Sequence, residues 1–223
     1  MILFIFGINL YYSITINLGN FIISLDGITS GIVDLRTTLQ CVQGNNPRSF
    51  SFMIQTTSTS CSYILSTGSV FVTSYSGFSI MFSCNSGSNN IIQIDAYIAG
   101  YYPSVGKIIN DGLWHTVLVT YDGTTILIYI DGILDNTITN WNDGSTATIS
   151  STLNTVGNSG NYLGQWADGD YGRWIGQLKN VMFFDYVIAD PANIPLSLSL
   201  DPTISPTTGK IHLSYIMYIY IYE

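Results

Sequence analysis

Apolar residues recur at every second position in one segment after another of this chain, a period that predicts strands rather than helices. The strongest run is Asp111 to Gly132, DGLWHTVLVTYDGTTILIYIDG. If Tyr121 and Ile126 close the loop Asp122-Gly123-Thr124-Thr125, Val119 faces Ile128 and Val117 faces Ile130, and that face is apolar throughout. The other face then pairs Thr120 with Leu127 and Leu118 with Tyr129, a mixed surface. Asp-Gly supplies the backbone freedom of the turn and β-branched residues fill its flanks, so the pattern predicts a hairpin.

The same reading extends along the chain. Alternation over Ser13 to Leu18 predicts a first strand, while the uncharged run from Ile2 to Leu25 keeps a signal or anchor segment open as the rival. Phe21–Leu25 and Gly31–Leu35 predict a strand pair around Asp26-Gly27. Ser49 to Gln55 sends Phe50, Phe52 and Ile54 to one side as core. Pairing Ser62–Leu65 with Ile80–Ser83 sets Cys61 opposite Cys84, as a disulfide in an oxidising compartment or as two buried thiols, with Cys41 left over. Ile91–Ile98 predicts a further strand and Gly100–Pro103 a loop. Beyond the hairpin, Asp135 to Ser151 is a polar excursion containing Trp141, and Val156 to Gly172 holds five glycines, a turn-rich stretch. Gln177 to Val187 alternates again, with Leu178, Met182, Phe184 and Tyr186 on one side. After Asp190, Pro191, Pro195, Pro202 and Pro206 mark a linker. Ile211–Tyr222 then predicts a strand that returns beside the N-terminal one or stays a sticky tail.

Trp114-His115, Val117, Val119 to Gly123 and Tyr129 to Gly132 resemble the signature hairpin of laminin G-like domains in the concanavalin A-like lectin/glucanase superfamily. The resemblance continues in Leu25-Asp26-Gly27, Val33-Asp34-Leu35, Arg48 to Phe52 and Gly176 to Val181, and so covers about Phe21 to Asp190. It implies an all-β fold, a two-sheet antiparallel jelly-roll sandwich, in a family that binds glycans or proteins and often serves as an accessory module. The chain then divides into an N-terminal strand or signal/anchor segment (1–20), the sandwich (21–190) and a Pro-containing linker with a terminal strand or tail (191–223).

Length and charge narrow the function. A chain of 223 residues suits one sandwich plus extensions. With 9% charged residues, solubility rests on Ser, Thr, Asn and Gly, and membrane contact is expected only if the N-terminal segment is an anchor. A net charge of -8 argues against nucleic acid, whose phosphates need clustered Lys and Arg. The enzymes of the superfamily cleave glycans with paired carboxylates. Here Glu223 is the one glutamate, and the Asp-x-Asp at Asp168 and Asp170 lies in a Gly-rich loop rather than a strand, so no catalytic residue is assigned. His115 and His212 are the only histidines, no Ser sits in a G-x-S-x-G elbow, and His115 reads as a packed or hydrogen-bonded strand residue.

Related domains often hold Ca2+ through Asp side chains, which makes Asp168 and Asp170 the candidate metal ligands, though they lack the length and order of a recognised calcium loop. Trp141, Trp166, Tyr171 and Trp174 fall in or beside two polar loops, 135–151 and 161–174, as candidate platforms for a sugar ring; loop anchoring is the structural alternative. The expectation is a non-catalytic carbohydrate- or protein-recognition module of a secreted or surface protein. A structural component of a viral particle or surface layer, and a degenerate glycoside hydrolase, are the rivals, and the oligomeric state is left open.

Overall fold

The structure is a computed structural model that describes residues 14–17, 22–27, 33–34, 43–68, 77–82, 84, 90–95, 100–101, 106–138, 141–142, 148–149, 153, 155, 161–166, 172–193 and 218–219. Its strands, in chain order, are β1 (Ile14–Asn17), β2 (Ile23–Asp26), β3 (Val33–Asp34), β4 (Arg48–Gln55), β5 (Ser62–Gly68), β6 (Gly77–Phe82), β7 (Ile92–Asp95) and β8 (Gly100–Tyr101). Then follow β9 (His115–Tyr121), β10 (Ile126–Ile130), β11 (Ile133–Ile138), β12 (Trp141–Asn142), β13 (Thr148–Ile149), β14 (Tyr162–Leu163), β15 (Ile175–Phe184) and β16 (Tyr218–Ile219). No α-helix occurs among the described residues, so none there is long and apolar enough to cross a membrane.

One antiparallel sheet runs β11-β10-β9-β4-β15-β1-β16, with β2 also on β15; the other runs β3-β14-β5-β6-β7-β8, and β12 and β13 form a separate ribbon. The two sheets close on a single apolar core as a jelly-roll sandwich. One side of the first sheet is the predicted hairpin, in the register the alternation gives: Val119 opposite Ile128, Val117 opposite Ile130, Thr120 opposite Leu127 and Leu118 opposite Tyr129. Asp122 fixes the turn by accepting the N–H bonds of Thr124 and Thr125 at 2.8 and 2.7 Å. Phe50 and Phe52 of β4 lie beside Val119 and Val117, and Phe50 stacks on Phe78 of the facing sheet with ring centroids 5.4 Å apart. Burying each such side chain contributes about 1.5–3 kcal/mol.

Arg48 closes one end of the core. Its side chain is wholly buried against the Tyr121 ring, and it donates to the carbonyls of Gln43, Gly44 and Asn46 and to Thr155 Oγ1. Satisfying a buried cation with this many acceptors removes the penalty that would otherwise expel it. The Tyr121 hydroxyl shares its one proton between Gly123 O and Asn45 Oδ1, so one end of β9 is tied to two loops.

Several expectations need correcting. β2 and β3 do not pair with each other: β2 lies on β15 and β3 on β14, in opposite sheets, because short strands take whichever edge is open and alternation does not name the partner. Asp135 to Ile138 belongs to β11 rather than to a loop. Asp131 and Gly132 both have positive φ, 52° and 79°, and make the tight turn that continues the meander. Tyr101, expected in a loop, pairs with Ile94.

The closing strand β15 does not keep one frame. A bulge between Lys179 and Met182, with Asn180 at φ 52°, shifts the facing, so Leu178, Val181 and Phe183 enter the core. Met182 and Phe184 instead join Leu118 and Ile188 on the outer face, where Ser49 Oγ donates to Tyr186 O and accepts Ile188 N–H. At the chain's two ends β1 pairs with both β15 and β16, Thr15 opposite Phe184 and Ile14 opposite Ile219. Of the 1–20 segment on which the rival signal or anchor reading falls, residues 1–13 and 18–20 lie outside the described residues, as do Cys41 and most of 191–223.

Candidate functional site

Two connections between the sheets have their described ends at one rim of the sandwich. Residues 56–61 carry the chain from β4 to β5, and residues 164–174 carry it from β14 to β15. The described ends of the second are tied to the start of β5 and to each other: Tyr63 N–H donates to Gly172 O at 2.7 Å, Gly164 N–H to Ile64 O at 2.9 Å, and Trp174 N–H to Gly164 O at 2.9 Å. A Cβ on Gly172 would sit 2.6 Å from Tyr63 Cδ2, and the residue has φ 59°, so glycine is required at this close approach. The structure bonds Cys61 to Cys84, Cα atoms 4.2 Å apart, and so fastens the first crossover to the end of β6.

The aromatic candidates separate on this rim. Trp166 is half-buried beside Tyr63, ring centroids 6.3 Å apart. Trp174 is corrected to a core residue: it is 0% exposed and meets Phe82 edge-on at 5.6 Å, so no face is left for a ligand. Trp141 pairs through its backbone with Ile149, and its side chain lies outside the description. Tyr171, Asp168 and Asp170 fall outside the described residues. Among the described residues no group of three or more His, Cys, Asp or Glu is arranged to hold a metal.

Sequence reasoning missed a groove of about 240 Å³ on the same rim, lined by Gln55, Thr56, Thr57, Ser58, Gly112, Ile175 and Gly176. Its frame is hydrogen-bonded: Gln55 Nε2 donates to Gly112 O at 2.7 Å, Thr56 Oγ1 to Ile175 O at 2.7 Å, and Gly112 N–H to Thr56 O at 3.0 Å. Gly176 makes room for the frame, since a Cβ there would lie 2.5 Å from Gln55 O. The available signal was the hydroxyl run Thr56-Thr57-Ser58 between two strands, but only the tertiary meeting of β4 with β15 turns that run into a wall.

His115 holds the loop that carries Gly112. Its Nδ1 lies 2.8 Å from Asp131 Oδ2 and its Nε2 3.0 Å from Asp111 Oδ1, so one buried ring joins the 131–132 turn to the 110–113 loop. The Leu113 N–H and His115 hold the Asp111 carboxyl below the usual carboxylate range. Burial by itself would raise Asp131, but bonds from Lys107, His115 and the Thr116 N–H outweigh it and hold that group low as well. The clamp explains why a histidine occupies a strand here: it is a bonded structural side chain with both ring nitrogens engaged.

The family profile of the concanavalin A-like lectin/glucanases superfamily matches residues 29–191. Among curated proteins none matches the sequence. The fold is similar to the CBM40 of the Ruminococcus gnavus IT-sialidase bound to α2,6-sialyllactose, with TM-score 0.54 and 15% identity over 78% of this chain and 94% of that one. It is also similar to the leech intramolecular trans-sialidase (TM-score 0.55, 14% identity, 81% of this chain, 27% of that chain). A mutant NanB sialidase from Streptococcus pneumoniae gives TM-score 0.57 and 16% identity over 83% of this chain and 28% of that one. The chain thus spans nearly all of the first and under a third of each sialidase; at these identities the likeness is one of fold.

Proposed function

The chain belongs to the concanavalin A-like lectin/glucanases superfamily, and from that premise we propose that it is a non-catalytic recognition module whose ligand is a glycan. The observation that carries this reading is the rim: backbone hydrogen bonds tie both ends of the β14–β15 connection to β5, a half-buried Trp166 lies beside Tyr63, and the β4–β5 connection walls a polar groove. A rigid sandwich that presents an aromatic face and small polar groups suits a sugar, whose rings offer C–H faces and hydroxyl edges. The CBM40 of similar fold was seen with sialyllactose, which favours a saccharide over a protein ligand as the first test.

A non-catalytic role is supported by the engagement of Asp111 and Asp131 with His115, which leaves that carboxylate pair committed to structure. The Cys61–Cys84 bond supports a secreted or surface location, since such bonds persist in oxidising compartments. Calcium at Asp168 and Asp170 is part of the proposal on sequence grounds, two carboxylates flanking a glycine in a Gly-rich stretch.

The test is a glycan array probed with and without calcium, beside a sizing column. Saccharide binding that disappears in Trp166→Ala supports the rim, whereas unchanged binding removes Trp166 from the contact. A second reading, assembly into a particle or surface layer, is favoured by the edge strand β11, whose Ile133 and Leu134 are 72% and 51% exposed. It expects oligomers on the column and a blank array.

A further inference from the structure

The groove between the end of β4 and the start of β15 has two unlike walls. Its frame already uses Gln55 Nε2, the Thr56 hydroxyl and the main chain of Gly112. The Ser58 oxygen accepts the Ser60 N–H, which leaves its hydroxyl proton to give. Together with Gln55 Oε1 and the exposed Thr57 hydroxyl, the groove therefore offers one acceptor, one donor and one group of either sense. Facing them is Ile175, 41% exposed, its side chain packed so closely over Gly27 that a Cβ there would lie 2.8 Å from Ile175 Cγ1.

A pyranose ring has this same division, with hydroxyls around its edge and C–H bonds on its faces. The volume, about 240 Å³, lies below the ~300–1,000 Å³ of drug-sized pockets and admits one ring rather than an extended chain. Charge then decides which ring. Among the described residues no charged side chain lines the groove, and Asp111 adjoins Gly112 on its rim. A ligand carboxylate seated here would lose water and gain no counter-charge.

Granting that the ligand is a glycan, we propose that this groove seats the terminal ring of a neutral glycan and discriminates against sialylated and uronate-bearing chains. An anionic sugar has no anchor in it, in contrast to the sialyllactose held by the CBM40 of similar fold.

The experiment is an array that prints each neutral oligosaccharide beside its sialylated and uronate-bearing counterparts, probed with the full chain. Neutral members should bind, with charged counterparts about tenfold weaker or more, the ratio that ~1.4 kcal/mol produces. Thr57→Val, at an exposed position, should weaken neutral binding roughly 3- to 10-fold, the loss of about one hydrogen bond. Thr57→Lys should raise the charged members relative to the neutral ones, and melting curves check that both variants are folded. Preferential binding of charged members, or neutral binding unchanged in both variants, overturns the groove assignment while glycan recognition stands. A blank array overturns both.

Discussion

Removing the bond between Cys61 and Cys84 should cost the protein a large and calculable part of its stability. The cysteines are 23 residues apart, and closing a loop of that length removes about 3–4 kcal/mol of chain entropy from the unfolded ensemble at 25 °C. For a domain of this size each kcal/mol moves the melting midpoint by about 2–4 °C, so the double variant Cys61→Ala/Cys84→Ala should melt roughly 7–14 °C lower. Urea titration followed by tryptophan fluorescence should show the same loss as a lower midpoint, with a slope equal to or slightly above that of the parent, since the open chain exposes more surface. The parent protein treated with reductant should reproduce the variant. Thiol titration of the unfolded, unreduced chain should not find all three cysteines reactive. A melting difference below about 3 °C would show that the bond lies in a part of the sandwich that does not limit unfolding, and three free thiols would show that it does not form.

Acid should unfold the protein through the His115 clamp. Asp111 and Asp131 are both held below their ordinary values, so their contribution is fully present above the unfolded carboxylate value of about 3.9 and is lost as the pH falls through the lower folded values. Melting temperature should therefore stay level from neutral pH to about 5 and drop below about 4, with a shallower drop in Asp131→Asn. Gly172→Ala forces a left-handed φ and a clash with Tyr63; it should cost about 1–2 kcal/mol for the backbone alone and alter the near-ultraviolet dichroism of the Tyr63–Trp166 pair. Trp174→Ala, at a fully buried site, should cost about 3–5 kcal/mol in urea titration, and a cost under 1 kcal/mol would contradict its place in the core.

The β9–β10 hairpin was legible in the sequence because its information is local: Asp-Gly sets the turn, and a period of two sets every partner from Val117 to Ile130. The pairing that brings Cys61 to Cys84 was readable for the same reason, although a bulge between Tyr63 and Leu65 shifts the ladder near that end. Partner choice among distant strands was not readable, as β2 and β3 demonstrate. The candidate site was harder still. Trp166 and Trp174 stand eight residues apart in similar Gly-rich sequence, yet one lies at the rim and the other in the core, because Trp174 falls where the chain dives from one sheet to the other against Phe82. The groove left a faint trace in Thr56-Thr57-Ser58, since its apolar wall arrives from Ile175, more than a hundred residues later.

The bulge in β15 has an unusual corollary for changes in chain length. Asn180 and Val181 together oppose the single residue Phe52, so Asn180 is surplus to the ladder. Excising it would leave Leu178, Lys179, Val181, Met182 and Phe183 in strict alternation, with every side chain still directed to the layer it now occupies. Straightening the strand while keeping the residue would do the opposite, driving Met182 and Phe184 inward and expelling Val181 and Phe183. At this one position a deletion is the gentle edit, and a residue that cannot adopt Asn180's left-handed backbone is the harsh one.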